Sequence, residues 1–551
     1  MGSEAEEDGD HDYDSDADEE KSPQDVSQLP FKVLVSHVCR RWRTVAVEIP
    51  TLWAHLDFAE GPPFDKSRIW LERSKGYPLD IELDCTVDDD DDAGSDESDD
   101  QADASSDDEL VAPEDRVAMP GGPAPRKETA RRVPGRISPL DLPVVRDLIL
   151  PHAARWRIFE LMVNDFQIMY GILSTLASIP SAPQLQALQL YHYDDDEDYD
   201  HFSPAHLKQP FAPFCGRAPS LLHVALWGVH VDWETCAFLQ GLEELELAYH
   251  AKDVRPPYEI FTRILRGSPD LHILTLCASG PAGSPEDWPT DVIELPSVKH
   301  LVLAFVEPSY VSALMKRLVF PNLASLALDF DPEDYSSFLE QLAGPPAPPV
   351  HHSSLCHNLI DLKISGMHCS AAALHTFFSA LPNLASLNLN CYHLPRHFFD
   401  YLYPGLAKKE ATTATATATT INAVVGEGEG EDGRTDELQC YLPKLETLTT
   451  SGVTGEEMRD LLTSRTVPPI RHVLMDSGAD VADKEEDWLR AHVETFDFFE
   501  CSDDEDDPMT SEDEDEDEEE DEDEDEDEEQ VVDGEGDGVP GEWIDYDDPI
   551  E

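Results

Sequence analysis

The segment LEELEL (residues 242–247) carries the pattern that decides the expected fold. Its last leucines, Leu245 and Leu247, alternate with glutamates, as in a short strand that buries one face. The same L-x-x-L-x-L pattern, with other apolar residues allowed, recurs along the chain at intervals of 21 to 61 residues. The copies start at Ile158, Leu185, Leu221, Leu242, Leu271, Val298, Leu323, Leu359, Leu384, Leu445 and, more weakly, Ile470. Recurrence at this spacing indicates internal structural repeats.

Helical patterns lie between these predicted strands. Apolar residues three and four apart form single faces at Ile260, Phe261, Ile264 and Leu265, at Val311, Leu314, Met315 and Leu318, and at Leu374, Phe377, Phe378 and Leu381. Asp331-Pro332 and the pair Thr454 and Glu457 are typical of helix starts. Prolines such as Pro321 and Pro382 come just before the next strand. The cycle is therefore strand, helix, proline, strand.

The fold class that follows is α/β, as an irregular leucine-rich-repeat solenoid with parallel strands inside and helices outside. One repeat cannot bury its own apolar face, so successive repeats must stack. A doubly wound α/β domain also alternates strands and helices and is the alternative. The repeated leucine pattern favours the solenoid, because a doubly wound sheet does not require it.

Acidic runs divide the chain. The formal net charge is -79, and much of the acid is concentrated in runs without Lys or Arg near both ends and after residue 87. We expect an acidic disordered N-terminus at 1–27, an F-box-like module with a linker strand at 28–86, and an acidic, then Pro/Arg-rich disordered linker at 87–137. We expect a repeat domain at 138–500, with a disordered insertion at about 407–438, and an acidic disordered tail at 501–551.

Charge and hydropathy exclude several partners. Neutralising nucleic-acid phosphates needs a basic surface, which only the short stretch from Arg126 to Arg136 provides, so we expect no nucleic-acid ligand. No apolar run approaches the ~20 residues of a membrane span, and no secretory signal follows Met1. Ten cysteines are scattered singly, which is typical of reduced thiols. We expect an intracellular protein, in the cytoplasm, the nucleus or both.

No catalytic motif is present, so an enzyme is not expected and no cofactor is implied. The glycine-rich GEGEGEDG (426–433) lacks the Lys-Ser/Thr of a phosphate loop. The best zinc candidates are His351, His352, Cys356, His357, His368 and Cys369. They lack the closely paired ligands of a structural zinc site, so we predict no metal.

The stretch LPFKVLVSHVCRRWRTVAVEIPTLWAHLDF (29–58) differs from the repeats. Its apolar residues are three and four apart and predict one helix, which Pro50 ends. The members of this apolar face are Val35, Val38, Cys39, Trp42, Val45 and Ala46. Leu52 and Trp53 follow, and we expect them to pack back on the helix. A small helical cap for the repeat domain is the simplest interpretation.

These residues also resemble a known family. SHVCRRWRTVAVEIPTLWAHLDF looks like the second half of the F-box in the F-box-like proteins of fungi, and IWLERSKGYPLDIELDC (69–85) and LILPHAARWRIFELMV (148–163) are typical of the same proteins. The F-box is partial, because acids occupy the place of the first helix, which begins Leu-Pro-x-Glu-Ile-Leu in family members.

The resemblance implies a substrate-recognition adaptor. The F-box-like module would bind a Skp1-type subunit of a cullin-RING ubiquitin ligase, and the repeats would bind an unknown target protein. The residues that would form the adaptor surface are Val35, Val38, Cys39, Trp42, Pro50, Leu52 and Trp53. We also expect Val35, Val38, Trp42 and Trp53 to form the hydrophobic core of the module.

The other partner surface is expected on the strands, where residues between the leucines point away from the core. The candidates for target binding are Gln186, Gln189, Glu243, Glu246, Lys299, Asp361, Lys363 and Asn388. An alternative function starts from the tail. Leucine-rich repeats followed by a polyanion look similar to acidic leucine-rich nuclear phosphoproteins, which bind basic proteins such as histones without any ubiquitin-ligase role.

Overall fold

The fold was analysed in a computed structural model. It describes residues 31–86, 136–193, 199–344, 354–404, 441–466 and 469–500. The expectations for 1–27, for nearly all of 87–137, for the insertion at 407–438 and for the tail at 501–551 lie outside these residues. Within them, no helix is both long enough and apolar enough to cross a membrane.

A fourteen-stranded, wholly parallel sheet organises the described chain, and its strand order follows the sequence order. The strands are β1 (His55–Leu56), β2 (Leu79–Cys85), β3 (Trp156–Val163), β4 (Ala187–His192), β5 (His223–Trp227), β6 (Glu244–Ala248), β7 (Ile273–Cys277), β9 (His300–Ala304), β11 (Ser325–Asp329), β12 (Asp361–Ile364), β13 (Ser386–Asn390), β14 (Thr447–Ser451), β15 (His472–Asp476) and β16 (Thr495–Phe499). β8 (Ile293–Glu294) and β10 (Leu318–Val319) pair with each other outside it. A doubly wound sheet would reverse its strand order at a switch point. This sheet does not, and its parallel strands with intervening helices confirm the α/β part of the expected fold class.

Register explains why the leucine pattern repeats. Leu245 of β6 aligns with Leu274 of β7, which aligns with Leu301 of β9, and these three side chains are almost fully buried. They belong to one continuous core that also contains the apolar faces of the helices. Removing one such leucine side chain costs about 2–5 kcal/mol. The leucine face of the sheet is therefore the core face, and the opposite face is the open face.

Two helices precede β1, and the other described helices connect strands of the sheet with buried faces in the core. They are α1 (Phe31–His37), α2 (Arg40–Glu48), α3 (Asp65–Arg73), α4 (Leu142–Ile149), α5 (Phe166–Ser178), α6 (Tyr258–Arg266), α7 (Pro308–Met315), α8 (Ser336–Ala343), α9 (Ala371–Ser379), α10 (His397–Asp400), α11 (Gly455–Ser464) and α12 (Asp483–His492). The predicted face of α6 is buried in full, from Ile260 to Leu265. Leu318, predicted on the face of α7, lies in β10 instead.

Two predicted helix starts had different outcomes. The capping box of Thr454 and Glu457 forms as expected at α11. The start at Asp331-Pro332 is wrong, because α8 begins at Ser336. Here the chain pairs with the next repeat instead: the Phe330 amide donates to the Gly366 carbonyl over 2.8 Å and the Tyr335 amide to the His368 carbonyl over 2.9 Å. Pairing with a neighbouring segment thus overrides a local helix signal.

The N-terminal region is part of the same sheet. β2 pairs with β3 along its whole length, and β1 pairs with β2. The sheet therefore continues across the boundary that we expected between the module at 28–86 and the repeats. The β3–β4 register aligns Ile158 with Ala187, which puts the start of this repeat at Trp156, two residues before the expected Ile158. Trp156 is fully buried in the place that a leucine takes elsewhere.

Candidate functional site

The first candidate surface is an apolar face of α2. Val38, Trp42 and Val45 are 62%, 53% and 52% exposed, and Ile49 is 39% exposed. Trp42 and Val45, three residues apart, lie on one side of α2, and Val38 and Ile49 lie just outside its two ends. We call Val38, Trp42, Val45 and Ile49 the α2 face. Large apolar side chains that adjoin one another in water are typical of an interaction site.

The structure separates the predicted adaptor residues into two groups. Trp53 is buried, and its indole Nε1 donates to the Ala46 carbonyl over 2.8 Å, as expected for packing back on the helix. Val35, Pro50 and Leu52 are partly buried, whereas Cys39 is exposed. Val38 and Trp42 are exposed, so their expected place in the core is wrong. The reason is a break at Val38 and Cys39, which divides the predicted single helix into α1 and α2.

Cation–ring contacts link α1 to α3, and α3 to the turn Pro50–Trp53 that follows α2. The Lys32 ammonium lies 3.4 Å from the centroid of the Trp70 ring, and the Arg73 guanidinium lies 4.5 Å from that of Trp53. Burial lowers the pKa of Lys32 to about 8, and attraction to Asp57 opposes that shift. α2 itself is held by the Trp53 indole through the Ala46 carbonyl, while the α2 face remains exposed.

The second candidate surface is the open face of the sheet. Four predicted target-binding residues occupy equivalent positions on it, since the register relates Gln189 to Glu246 through Ala225 and pairs Lys363 with Asn388. Asp361 lies two residues before Lys363, at the start of β12, and is exposed. These five residues lie on the expected side of the strands.

Gln186, Glu243 and Lys299 differ from this expectation. Each lies one residue before its strand, at β4, β6 and β9. Their backbone carbonyls accept amides of the following repeat; the Glu243 carbonyl, for example, accepts the amide of His272 over 2.7 Å. They are correctly placed near the surface, but not on the open face of the strands. The six-residue pattern did not reveal where the strand begins.

An aromatic cluster on the open face was missed. The rings of Tyr191 and Trp227 lie 5.2 Å apart at 84°, and those of Trp227 and Tyr249 lie 5.6 Å apart at 62°. Tyr193 is parallel to Tyr191 at 6.3 Å. We call Tyr191, Tyr193, Trp227 and Tyr249 the aromatic platform. The sequence signal was available, because an aromatic residue follows the last leucine of three consecutive repeats within one to three positions.

Small side chains allow these rings to lie on the sheet. Ala248, Cys277 and Ala304 are aligned on β6, β7 and β9 and form a small apolar cluster apart from the main core, with Trp227 and Tyr249 packed against it. Tyr249 has a positive φ of 53°, and its amide donates to the Cys277 carbonyl over 2.9 Å. A non-glycine residue in this conformation is uncommon. The backbone turn at Tyr249 thus places its ring against the ring of Trp227.

Carboxylates line the platform. Glu160 on β3 and Glu246 on β6 are half-buried on the open face, on either side of Tyr191. Burial raises the pKa of Glu160, and repulsion from Glu82 adds to the shift. Burial also raises the pKa of Glu246, where repulsion from Glu244 adds to it and the Trp227 indole opposes it. Burial and both carboxylates raise the pKa of Tyr191 to about 12.

The zinc candidates of the sequence have different environments. His351 and His352 lie outside the described residues. Cys356 is buried with its thiol on the Leu342 carbonyl, while His357 and His368 are exposed. Throughout the described ranges, no group of three or more His, Cys, Asp or Glu side chains could hold a metal ion.

Comparisons with known proteins add no assignment. No protein-family model matches the chain, and no curated protein matches it.

Proposed function

We propose that this protein is a substrate-recognition adaptor, an irregular leucine-rich-repeat solenoid with a partial F-box-like module at its N-terminal end. The module binds a Skp1-type subunit of a cullin-RING ubiquitin ligase, and the repeats bind a target protein. This function rests on the resemblance of residues 36–58 to the second half of an F-box. The α2 face is the structural observation that supports it best.

The α2 face fits a docking role for a physical reason. Four apolar side chains exposed on one short helix and at its two ends lose contact with water only when a partner covers them. Arg40 and Arg41 are exposed beside them and suit an acidic partner surface. The face therefore has an apolar centre with a charged rim, as protein–protein interfaces commonly do.

The sheet supports the recognition half of the proposal. The strands of the sheet follow one another in chain order, so the open face extends over many repeats. Extended faces of this kind are the binding surfaces of repeat proteins. Their specificity lies in the residues between the leucines.

Co-expression with a Skp1-type subunit tests the adaptor function. We expect the full chain to co-purify with that subunit, and Trp42→Glu with Val45→Glu to reduce the bound amount about tenfold or more, because both changes put charges in the apolar centre. Glutamate is a good helix former, so α2 should persist.

Ile360→Glu is the matched control. Ile360 is 48% exposed and lies just before β12, away from the module, so this variant should bind like the parent. Failure of the parent chain to bind, where an intact F-box protein binds, would contradict the proposal.

A further inference from the structure

We infer that the aromatic platform, together with Glu160 and Glu246, is a binding site for a positively charged side chain, guanidinium or ammonium, of a protein partner. This inference rests on the proposed function, since it specifies the chemistry by which the repeats recognise a target. The proposed site spans four strands, β3 to β6, and the leucine pattern does not predict it.

The platform offers aromatic surface to such a side chain. Trp227, Tyr191 and Tyr249 are half-buried and Tyr193 is 40% exposed. The rings are therefore packed on the sheet on one side and accessible to solvent on the other. Cations bind over the faces of Trp and Tyr because the ring quadrupole is negative there. A rigid group of rings loses little conformational entropy when a partner binds.

The charges complement a cation. The charged groups that act on Glu160 and Glu246 are other carboxylates, Glu82 and Glu244 respectively. Within the described ranges, no Lys or Arg forms an ion pair with Glu160 or Glu246. Partly buried carboxylates without a cation lower the stability of the folded protein. A bound cation would remove that cost.

The same charges exclude other ligands from this site. A phosphate or an acidic peptide would be repelled by Glu82, Glu160, Glu244 and Glu246. A purely apolar segment would bury the carboxylates of Glu160 and Glu246 further without pairing them. A cationic side chain with an alkyl stem can pack against the rings and also pair with the carboxylates.

Fluorine NMR of the full chain, labelled with 5-fluorotryptophan, tests the site. The Trp227 resonance is assigned by its loss in Trp227→Phe. The probes are an acetylated and amidated Gly-Arg-Gly tripeptide and its neutral citrulline counterpart. We expect the arginine peptide to shift the Trp227 resonance saturably and the citrulline peptide to leave it unchanged, because only guanidinium carries a charge.

Variants then test whether the carboxylates of Glu160 and Glu246 contribute to peptide binding at Trp227. Glu160→Gln with Glu246→Gln should weaken binding about fivefold or more, as expected for losing a charge pair beside the rings. The control is Asp497→Asn, which neutralises one carboxylate at the equivalent open-face position of β16, far along the sheet. It should leave the affinity unchanged. Unaltered resonances of the other tryptophans, with a melting temperature no lower than the parent's, show that the variants fold.

The inference is overturned if the arginine peptide does not shift the Trp227 resonance. It is also overturned if the citrulline peptide causes an equal shift, or if the arginine peptide shifts the resonance equally in the glutamine variant. Co-purification of the glutamine variant with the Skp1-type subunit is measured in parallel. If that binding fails in the parent chain while the Trp227 shift persists, the adaptor function fails and the cation site remains.

Discussion

At the scale of single residues, His250 shows how the repeats accommodate a buried titratable group. The side chain is fully buried between two repeats, with Nε2 on the Val229 carbonyl at 3.0 Å and Nδ1 on the Ser279 hydroxyl at 2.9 Å. Since a carbonyl only accepts, Nε2 carries the proton and Nδ1 accepts from Ser279. Burial lowers the pKa of His250 to about 3. The folded protein thus holds this imidazole neutral.

A pH prediction follows for His250. Unfolded, the imidazole takes up a proton below about pH 6.5, whereas in the folded chain it resists protonation until far lower pH. The unfolded state therefore binds more protons in this window, and stability falls as the pH falls. Between pH 6.5 and 4.5 this group alone should cost about 2–3 kcal/mol.

His250→Gln provides the measurement. Urea unfolding of the variant should show a smaller loss of unfolding free energy between pH 6.5 and 4.5 than the parent shows, even if the variant is less stable at pH 7. His393→Gln, at an exposed histidine, is the control and should keep the parent's pH dependence. Equal slopes in the parent and His250→Gln would contradict the prediction.

At the scale of elements, the end of α11 joins the two sides of a long insertion. Arg465 is 1% exposed and follows α11 directly. Its guanidinium donates to the Leu402 carbonyl at 3.1 Å, before the undescribed residues 405–440, and to the Tyr441 carbonyl at 2.9 Å, after them. It also donates to the Leu442 carbonyl at 2.6 Å. One side chain thereby fixes both ends of the insertion.

We expect Arg465→Met to lower the free energy of unfolding by about 2–4 kcal/mol, because three buried carbonyls lose a charged donor while the apolar stem is kept. Arg471→Met, six residues later at an exposed position whose ion pair with Glu494 is also exposed, should cost less than about 1 kcal/mol. Urea unfolding measures both. Similar losses in the two variants would show that the buried contacts of Arg465 contribute little.

At the scale of the whole molecule, the strand order limits how far a disturbance spreads. Each strand of this sheet pairs only with the sheet strands that precede and follow it, and β16 ends the sheet by pairing with β15. In such an arrangement, stability is a sum of local terms and neighbour contacts. Loss of the last strand should therefore affect mainly the last repeats.

Hydrogen exchange tests this locality in two shortened chains, one ending at residue 494 and one ending at residue 500. Without β16, amides of β15 and α12 should exchange faster, since Phe496 no longer covers their apolar side. Amides of β3 to β7 should be unchanged. Faster exchange throughout the sheet would instead indicate all-or-none unfolding.

The sequence by itself determined the periodic part of this protein. Burial of one side of a short strand depends on residues two apart, so the leucine pattern located β3 to β7, β9 and β11 to β15 and predicted the parallel α/β class. It also found the capping box at Thr454, which depends on a contact three residues away. Such features are local, and local spacing is what a sequence displays.

Only the tertiary structure decided the rest. Tyr191, Trp227 and Tyr249 come from three strands, and the register brings their rings together over Ala248 and Cys277. The same lateral pairing added β1, β2 and β16 to the sheet and kept residues 330–334 out of a helix. The break between α1 and α2 left Trp42 exposed. These outcomes depend on neighbours distant in sequence, whose packing free energy exceeds local preference.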